Sequence, residues 1–321
     1  MKAQWVHRLG GAEQLRFEET PVPTLGPHDV LVKTEAIGVN FIDIYQRIGI
    51  YAMPLPFIPG QEAAGVVQWV GSEVNSTAPG DRVAVAGPQG AYADYMAVPE
   101  TKLVKLPPHL DSETAAAGLF QGMTAHMLAY GVYSIRAGDR VLVHAAAGGV
   151  GLMLVRMAKK LGAVVYGTAS TEAKAQIVRE AGADVAIVYT KEDFAVRVNA
   201  LTNGEGVDVI YDAVGKPTFA ADLRALRVRG TLVSYGQAGG VMDPVDLMAL
   251  GQRSHAIVRP SIRHYTASRV EFLERAAFVL GALARRDLAV TIDSRWALAE
   301  AAEAQRRLES RETIGKLLLI P

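Results

Sequence analysis

Along the first third of the chain, short apolar runs are broken by proline and glycine. Residues 30–34 (VLVKT), 65–70 (GVVQWV) and 81–85 (DRVAV) have the length and β-branched content of strands. Turn signals separate them: Pro21-Val22-Pro23, Pro79-Gly80-Asp81 and Gly87-Pro88. This texture predicts a β-barrel-like domain with long loops. Near residue 115 the pattern changes. Residues 115–131 (AAAGLFQGMTAHMLAYG) predict a helix, and from there strands and helices alternate. Strands are expected at 140–145, 164–168, 185–189, 207–213 and 231–235, with helices at 150–161 and 172–181, the latter ending at Gly182. Such alternation predicts a doubly wound parallel sheet. The last fifty residues predict helices at 270–286 and 297–307 and a closing apolar strand, Lys316–Ile320 (KLLLI), which needs a sheet to join. The fold class expected is α/β, with the barrel-like domain as natural host for that strand.

Composition narrows the picture. The chain has 321 residues, which at roughly 150 per domain suggests two domains. Half of the residues are apolar and 21% are charged, so a sizeable core can form and global disorder is excluded. Lys plus Arg and Asp plus Glu are each 33, giving zero formal charge, which argues against a nucleic-acid partner. With no cysteine there is no disulfide, cysteine nucleophile or thiolate zinc site. The start of the chain has no apolar signal-peptide core, and no run reaches about 18 apolar residues. A cytoplasmic protein with no membrane association is expected. A basic run, Arg253, Arg259, Arg263, His264 and Arg269, reads as a solvated face or subunit contact. Met153 and Met157, four apart, read as core, and the scattered Trp5, Trp69 and Trp296 as structural residues.

The strongest local signal is the segment 141–151 (VLVHAAAGGVG). A buried strand runs into a turn of small residues and then a helix. Small residues let the main chain approach a pyrophosphate, and the helix start offers free N–H groups. Ala146, Gly148 and Gly151 hold the three positions of G-x-G-x-x-G, with alanine at the first. The strand before, the helix after and the repeated units around it point to a dinucleotide site. The end of the next strand discriminates between dinucleotides. An acid there would bind the 2′-hydroxyl of NAD, but residues 165–171 read VYGTAST, with none. Ser170 and Lys174 suit a 2′-phosphate, and Tyr189 ends the following strand, so NADPH is the expected cofactor.

Several motifs together resemble one family. They are residues 38–45 (GVNFIDIY), 59–65 (PGQEAAG), 144–151, 211–215 (YDAVG), 259–261 (RPS) and 308–311 (LESR). The chain is similar, over essentially its whole length, to the zinc-free quinone oxidoreductases, the ζ-crystallin branch of the medium-chain dehydrogenase/reductase superfamily. The resemblance implies a GroES-like catalytic β-barrel domain over 1–122 and 270–321, with a Rossmann domain over 123–269 inserted in it. It implies a homodimer joined through the last Rossmann strand, about Ala256–Val258, or a tetramer. Where zinc-using relatives carry Cys and His, this chain has Asn40 and Gln61. No histidine spacing replaces those ligands, so no metal is expected.

The resemblance also implies site residues. Asn40, Asp43, Tyr45 and Tyr51 match positions on the nicotinamide side of the cleft. Asn40 and Tyr51 are expected to donate to an acceptor oxygen, Tyr45 to stack on or bond the cofactor, and Asp43 to position its neighbours. The other reading of Tyr45 and Tyr51 is as aromatic walls. On the cofactor side the match covers Ala147, Gly148, Gly149, Val150 and Gly151 at the pyrophosphate. It adds Gln121 and Thr124 near the nicotinamide or its phosphates, Val214 and Gly215 at the adenosine, and Tyr235, Gly236 and Gln237 at the carboxamide. Arg311 and, more weakly, Lys316 complete it, and Arg263 of the basic run is added as a residue with the reach to meet phosphate. The activity implied is NADPH-dependent, metal-free reduction of a small-molecule quinone, since an electrophilic acceptor needs no Lewis acid. Two alternatives stay open: C=C reduction of enals or enones on the same fold, and a cofactor-bound protein with a binding role toward RNA or a structural one.

Overall fold

A computed structural model describes all residues, Met1–Pro321. The chain forms two compact units, Met1–Gln121 with Thr266–Pro321, and Gly122–Tyr265. The element order opens with β1 (Lys2–Val6), β2 (Leu15–Glu19), β3 (Asp29–Val39), α1 (Phe41–Arg47), β4 (Glu62–Val70), β5 (Arg82–Ala86), β6 (Tyr95–Pro99), β7 (Leu103–Lys105) and α2 (Ser112–His126). The middle of the chain holds β8 (Arg140–Val143), α3 (Gly149–Lys160), β9 (Val164–Ala169), α4 (Glu172–Glu180), β10 (Val185–Val188), α5 (Phe194–Leu201), β11 (Val207–Asp212), α6 (Phe219–Ala225), β12 (Leu226–Ser234), α7 (Leu247–Gly251), β13 (Ala256–Val258) and α8 (Ile262–Tyr265). The chain closes with α9 (Arg269–Ala284), β14 (Ile292–Ala297), α10 (Ala301–Glu309) and β15 (Lys316–Ile320).

In the first unit, seven strands make a sheet ordered β14-β15-β3-β4-β5-β7, with β6 also paired to β3. β15 lies between β14 and β3, parallel to the former and antiparallel to the latter. This gives the closing KLLLI run its sheet. Alternation along β3 and β4 sends Val30, Val32, Ile37 and Val67 into a core shared with Leu317 and Leu319. Trp69 departs from its expected structural role: it is 62% exposed on β4.

The second unit is one parallel sheet of six strands, ordered β10-β9-β8-β11-β12-β13. Counted from β8, this is the 3-2-1-4-5-6 order of a doubly wound dinucleotide-binding fold. Its central strands are covered on both faces, which is why Val141, Leu142, Val143, Val209 and Ile210 form unbroken apolar runs. Met153 and Met157 of α3 are buried against it, as their spacing predicts.

Some boundaries move. The helix predicted at 115–131 begins at Ser112 and changes at Met127–Val132 to a wider π-helical turn. The one predicted at 297–307 opens with a single 3-10 turn, Leu298–Glu300, before α10. No helix is long and apolar enough to cross a membrane.

Candidate active site

The cradle begins where β8 ends. Ala145 takes a left-handed conformation, φ 48°, and Gly148 N–H donates to its carbonyl at 2.9 Å. Gly148 is the N-cap of α3 and provides no side-chain cap, so the first N–H groups of the helix have no partner of their own. Gly148, Gly149 and Val150 are half-exposed, while Ala147 and Gly151 are buried. A Cβ on Gly151 would lie 2.5 Å from the Ala145 carbonyl oxygen and 2.8 Å from Ala146 Cα, so only glycine lets the helix start this close to the turn. The arrangement fits a pyrophosphate: unpaired N–H groups, a positive helix end and no side chain in the way.

Neighbouring strand ends complete this face. Ligands of such sheets bind beyond the carboxyl ends of the strands, where the order reverses, here between β8 and β11. Half-exposed Ser170 follows β9, and Thr171 caps α4 by accepting the Lys174 N–H. Tyr189 N–H donates to Ala169 O at 3.1 Å, and Thr190 Oγ1 to Ser170 O at 2.9 Å, tying the β9 and β10 ends together. The nearest acid, Glu172, is held by Arg179 at 2.6 Å, and that ion pair keeps its carboxyl below the usual range. On the other side, Asp212 accepts the N–H groups of Val214 and Gly215. Gly215, at φ 90°, and Gly236 press the loops after β11 and β12 together; a Cβ on either would meet a carbonyl oxygen at 2.7 Å.

Arg259 lies exposed at the surface, as the basic run predicts, but its guanidinium also has a structural task. Its guanidinium donates to Ser234 O and Oγ, Gly236 O and Gln237 Oε1, bracing the loop that holds Tyr235, Gly236 and Gln237. Arg269 is likewise bonded, to Thr101 O and Leu103 O. Arg263, on the short α8, is exposed. The signal that separates Arg259 is its position directly after a strand, where a long donor can fold back over the strand ends.

Beneath the cradle lies a buried polar chain. His144 Nδ1 is 2.9 Å from Thr168 Oγ1, and its Nε2 is 2.8 Å from Asp222 Oδ1. The nearby Asp222 and Asp212 carboxylates raise the imidazole pKa against its burial, and burial pushes Asp222 up to about 6.

In the first unit, Asn40 caps α1. Its N–H donates to Asp43 Oδ2 at 2.9 Å, and Tyr92 Oη donates to the same oxygen at 3.1 Å. Asp43 is fully buried with Oδ1 unpartnered, and desolvation raises its pKa to about 7. Both Asn40 amide hydrogens are directed inward, to Glu62 Oε2 at 3.1 Å and Gly38 O at 3.3 Å. Lys316 Nζ donates to Asn40 Oδ1 at 2.7 Å and to Glu62 Oε2 at 2.5 Å. Phe120 N–H donates to Glu62 Oε1 at 2.6 Å. The chain of contacts continues from Tyr92 through Gln305 to Arg47 and Glu309. Tyr45 is buried on α1, with Tyr51 edge-on at 5.8 Å and 39% exposed. Gln121 is buried and Thr124 half-exposed on α2; Arg311 is exposed in the turn after α10.

The family profile described as zinc-binding dehydrogenase matches residues 149–275, and that described as alcohol dehydrogenase GroES-like domain matches 26–108. The chain is 42% identical over 315 residues to a quinone oxidoreductase of Pseudomonas aeruginosa, covering 97% of each chain. It is 41% identical to a 2-haloacrylate reductase of a Burkholderia species, covering 98% of each. Among solved structures, the Escherichia coli quinone oxidoreductase complexed with NADPH superposes with a TM-score of 0.98 at 38% identity, over the whole of both chains. The chain belongs to the quinone oxidoreductase family of the medium-chain dehydrogenase/reductase superfamily. The zinc in the first profile's description finds no donor set here. No three His, Cys, Asp or Glu side chains converge, and beside Asn40 the Glu62 carboxylate already holds the Lys316 ammonium.

Proposed function

We propose that this protein reduces quinones with NADPH and without a metal at the acceptor site. The observation that carries this is the nucleotide face of the second unit: a cradle that only glycine permits, with Ser170 and Lys174 and no free acid after β9. Relatives about 40% identical over nearly their full length are named quinone oxidoreductases. The reduced nicotinamide, when bound, supplies a hydride to an electrophilic acceptor. The chain's residues do the rest. The N–H groups at Gly149, Val150 and Gly151 receive the pyrophosphate, and Ser170, Lys174 and Tyr189 frame the 2′-phosphate. The braced loop at Tyr235, Gly236 and Gln237, with Val214 and Gly215, holds the remainder. Gln121, Thr124, Arg263 and Arg311 are assigned to the same nucleotide. In the first unit Tyr51 is the donor assigned to the acceptor oxygen, because both Asn40 amide hydrogens are engaged. Asn40, Asp43 and Tyr45 form the wall behind it.

A second reading has one specific observation in its favour: the 2-haloacrylate reductase is as similar as the quinone reductases. The deciding measurement is initial-rate NADPH oxidation with chelator present, comparing benzoquinones, naphthoquinones, a 2-alkenal and 2-chloroacrylate, with NADH as control. Quinone turnover supports the first reading. Turnover confined to the conjugated C=C substrates replaces it with the second.

We further propose a homodimer through β13, whose free edge makes it the natural joint: it pairs only with β12. Exposed Leu247 and Met248 precede it on α7. Sedimentation of Ile257→Pro, which removes an N–H from the middle of this three-residue strand, should shift the mass toward the monomer; an unchanged oligomer places the joint elsewhere.

A further inference from the structure

The two anion sites assigned to NADPH lie on different turns. The cradle follows β8, and Ser170 and Lys174 follow β9. One residue bonds both segments. Thr168, two positions before Ser170, accepts the Ala146 N–H on its carbonyl at 3.0 Å, and its hydroxyl meets His144 Nδ1 at 2.9 Å. His144 is in turn anchored twice more, by its N–H to Tyr211 O at 3.0 Å and by Nε2 to Asp222 Oδ1 at 2.8 Å. Phe194 of α5 meets the imidazole edge-on at 4.6 Å. All three polar side chains are buried, and Asp222 has a second oxygen, Oδ2, with no partner. The approach of β9 to the cradle is tight: a Cβ on Gly167 would lie 3.0 Å from Ala146 Cβ and 2.5 Å from Val178 Cγ1.

A buried His–Asp contact is a costly way to tie a helix to a sheet on which it already packs. What it adds is position. The imidazole links the last residue before the cradle to a helix that the sheet ladder does not reach, and to the residue that leads to the 2′-phosphate site. A ligand with phosphates at both sites gains from their fixed spacing, because neither has to be brought into place on binding. A ligand with the pyrophosphate alone gains much less.

We propose that the Asp222–His144–Thr168 chain is a strut that fixes the spacing between the pyrophosphate cradle and the 2′-phosphate residues, and is thereby a positioning determinant of the preference for NADPH over NADH. This rests on the NADPH reading above. Thr168 and His144 act through Ser170 and the cradle and need not touch the nucleotide.

The test is the dissociation constant of each nucleotide, by fluorescence titration, for wild type, Thr168→Val, Thr168→Ser and Ser170→Ala, with melting temperatures alongside. Thr168→Val is nearly isosteric and removes the hydroxyl bond. It should weaken NADPH about tenfold and NADH less than about threefold, the scale of one lost buried hydrogen bond. Thr168→Ser should restore the preference. Combined with Ser170→Ala, the loss for NADPH should be less than the product of the single losses, since both variants break the same link. If Thr168→Val does not accumulate folded, His144→Gln tests the strut at its middle, because the amide cannot reach Thr168 and Asp222 together; the same selective loss is expected. Equal weakening of both nucleotides, or a lower melting temperature with both constants unchanged, would overturn the proposal and leave the chain as scaffold. Wild type without preference for NADPH would sink the cofactor reading itself, and the strut's role with it.

Discussion

The nucleotide cradle and the Asn40 cluster are made of opposite materials. The cradle, at 145–151, is main chain: glycines, a left-handed Ala145 and N–H groups at a helix start, all within seven consecutive residues. The Asn40 cluster is side chain: Asn40, Asp43, Glu62, Tyr92, Gln305 and Lys316 meet from α1 and its N-cap, β4, α10 and β15 and the loop before β6. In the first, the geometry depends on what is missing, a Cβ at Gly151. In the second it depends on charges that balance out of contact with solvent. Substitutions should therefore act differently: by obstruction in the cradle, by uncompensated charge in the cluster.

The largest expected effect is Lys316→Met. It leaves Glu62 buried with only the Phe120 and Asn40 N–H groups as partners. Removing one partner of a buried pair costs about 3–5 kcal/mol, whereas replacing both is close to neutral. Denaturant unfolding at pH 7 should show that loss for Lys316→Met and recovery of most of it when Glu62→Gln is added. A single variant within about 1 kcal/mol of wild type would mean that the ion pair does not hold the cluster.

The cradle should break by geometry with the rest of the fold intact. Gly151→Val forces its side chain onto the Ala145 carbonyl and Ala146 Cα, which are backbone and cannot turn aside. Affinity for NADPH should fall at least about a hundredfold, or ~2.7 kcal/mol, with NADH falling in parallel. Retained nucleotide binding would place the pyrophosphate elsewhere.

The same contrast explains what could be read in advance. The doubly wound sheet and the cradle are local: strand–helix alternation and the VLVHAAAGGVG segment name them without any long-range knowledge. The closing strand was equally legible, since an apolar KLLLI run needs a partner. The Asn40 cluster was not. Asn40, Glu62 and Lys316 are separated by up to 276 positions, and nothing in composition tells a buried lysine from a solvated one. The capping motif at Asn40 and Asp43 was visible as residues, but not the inward turn of both amide hydrogens. His144 was visible only as part of a motif, because its partners Thr168 and Asp222 lie on other elements. The carbonyls that Arg259 and Arg269 meet were hidden for a related reason: a run of basic residues shows a charged face, not the main chain it folds back on.

The smallest effect concerns protons, and here the two units behave alike. Asp43 in one and Asp222 in the other have pKa values raised by burial from 3.8 to about 7 and about 6. Between pH 4 and those values the native protein holds protons that the unfolded chain has released. Stability therefore falls as pH rises through that window, and the carboxyls' share of the fall ends once both are ionised, opposite in sign to a salt-bridged carboxylate. His144, with its pKa raised above 6.5, acts in the same sense: its contribution is present at low pH and is lost as pH rises through its folded value. The slope from one group is at most about 1.4 kcal/mol per pH unit. Denaturant unfolding at pH 5, 6, 7 and 8 should show the decline in wild type. In Asp43→Asn the decline between pH 6 and 7 should become shallower, and the part between pH 5 and 6, which Asp222 carries, should remain. A slope in Asp43→Asn equal to that of wild type throughout would mean that Asp43 is already ionised where it is buried, its charge carried by the Asn40 N–H, the Tyr92 hydroxyl and the nearby Lys316 ammonium.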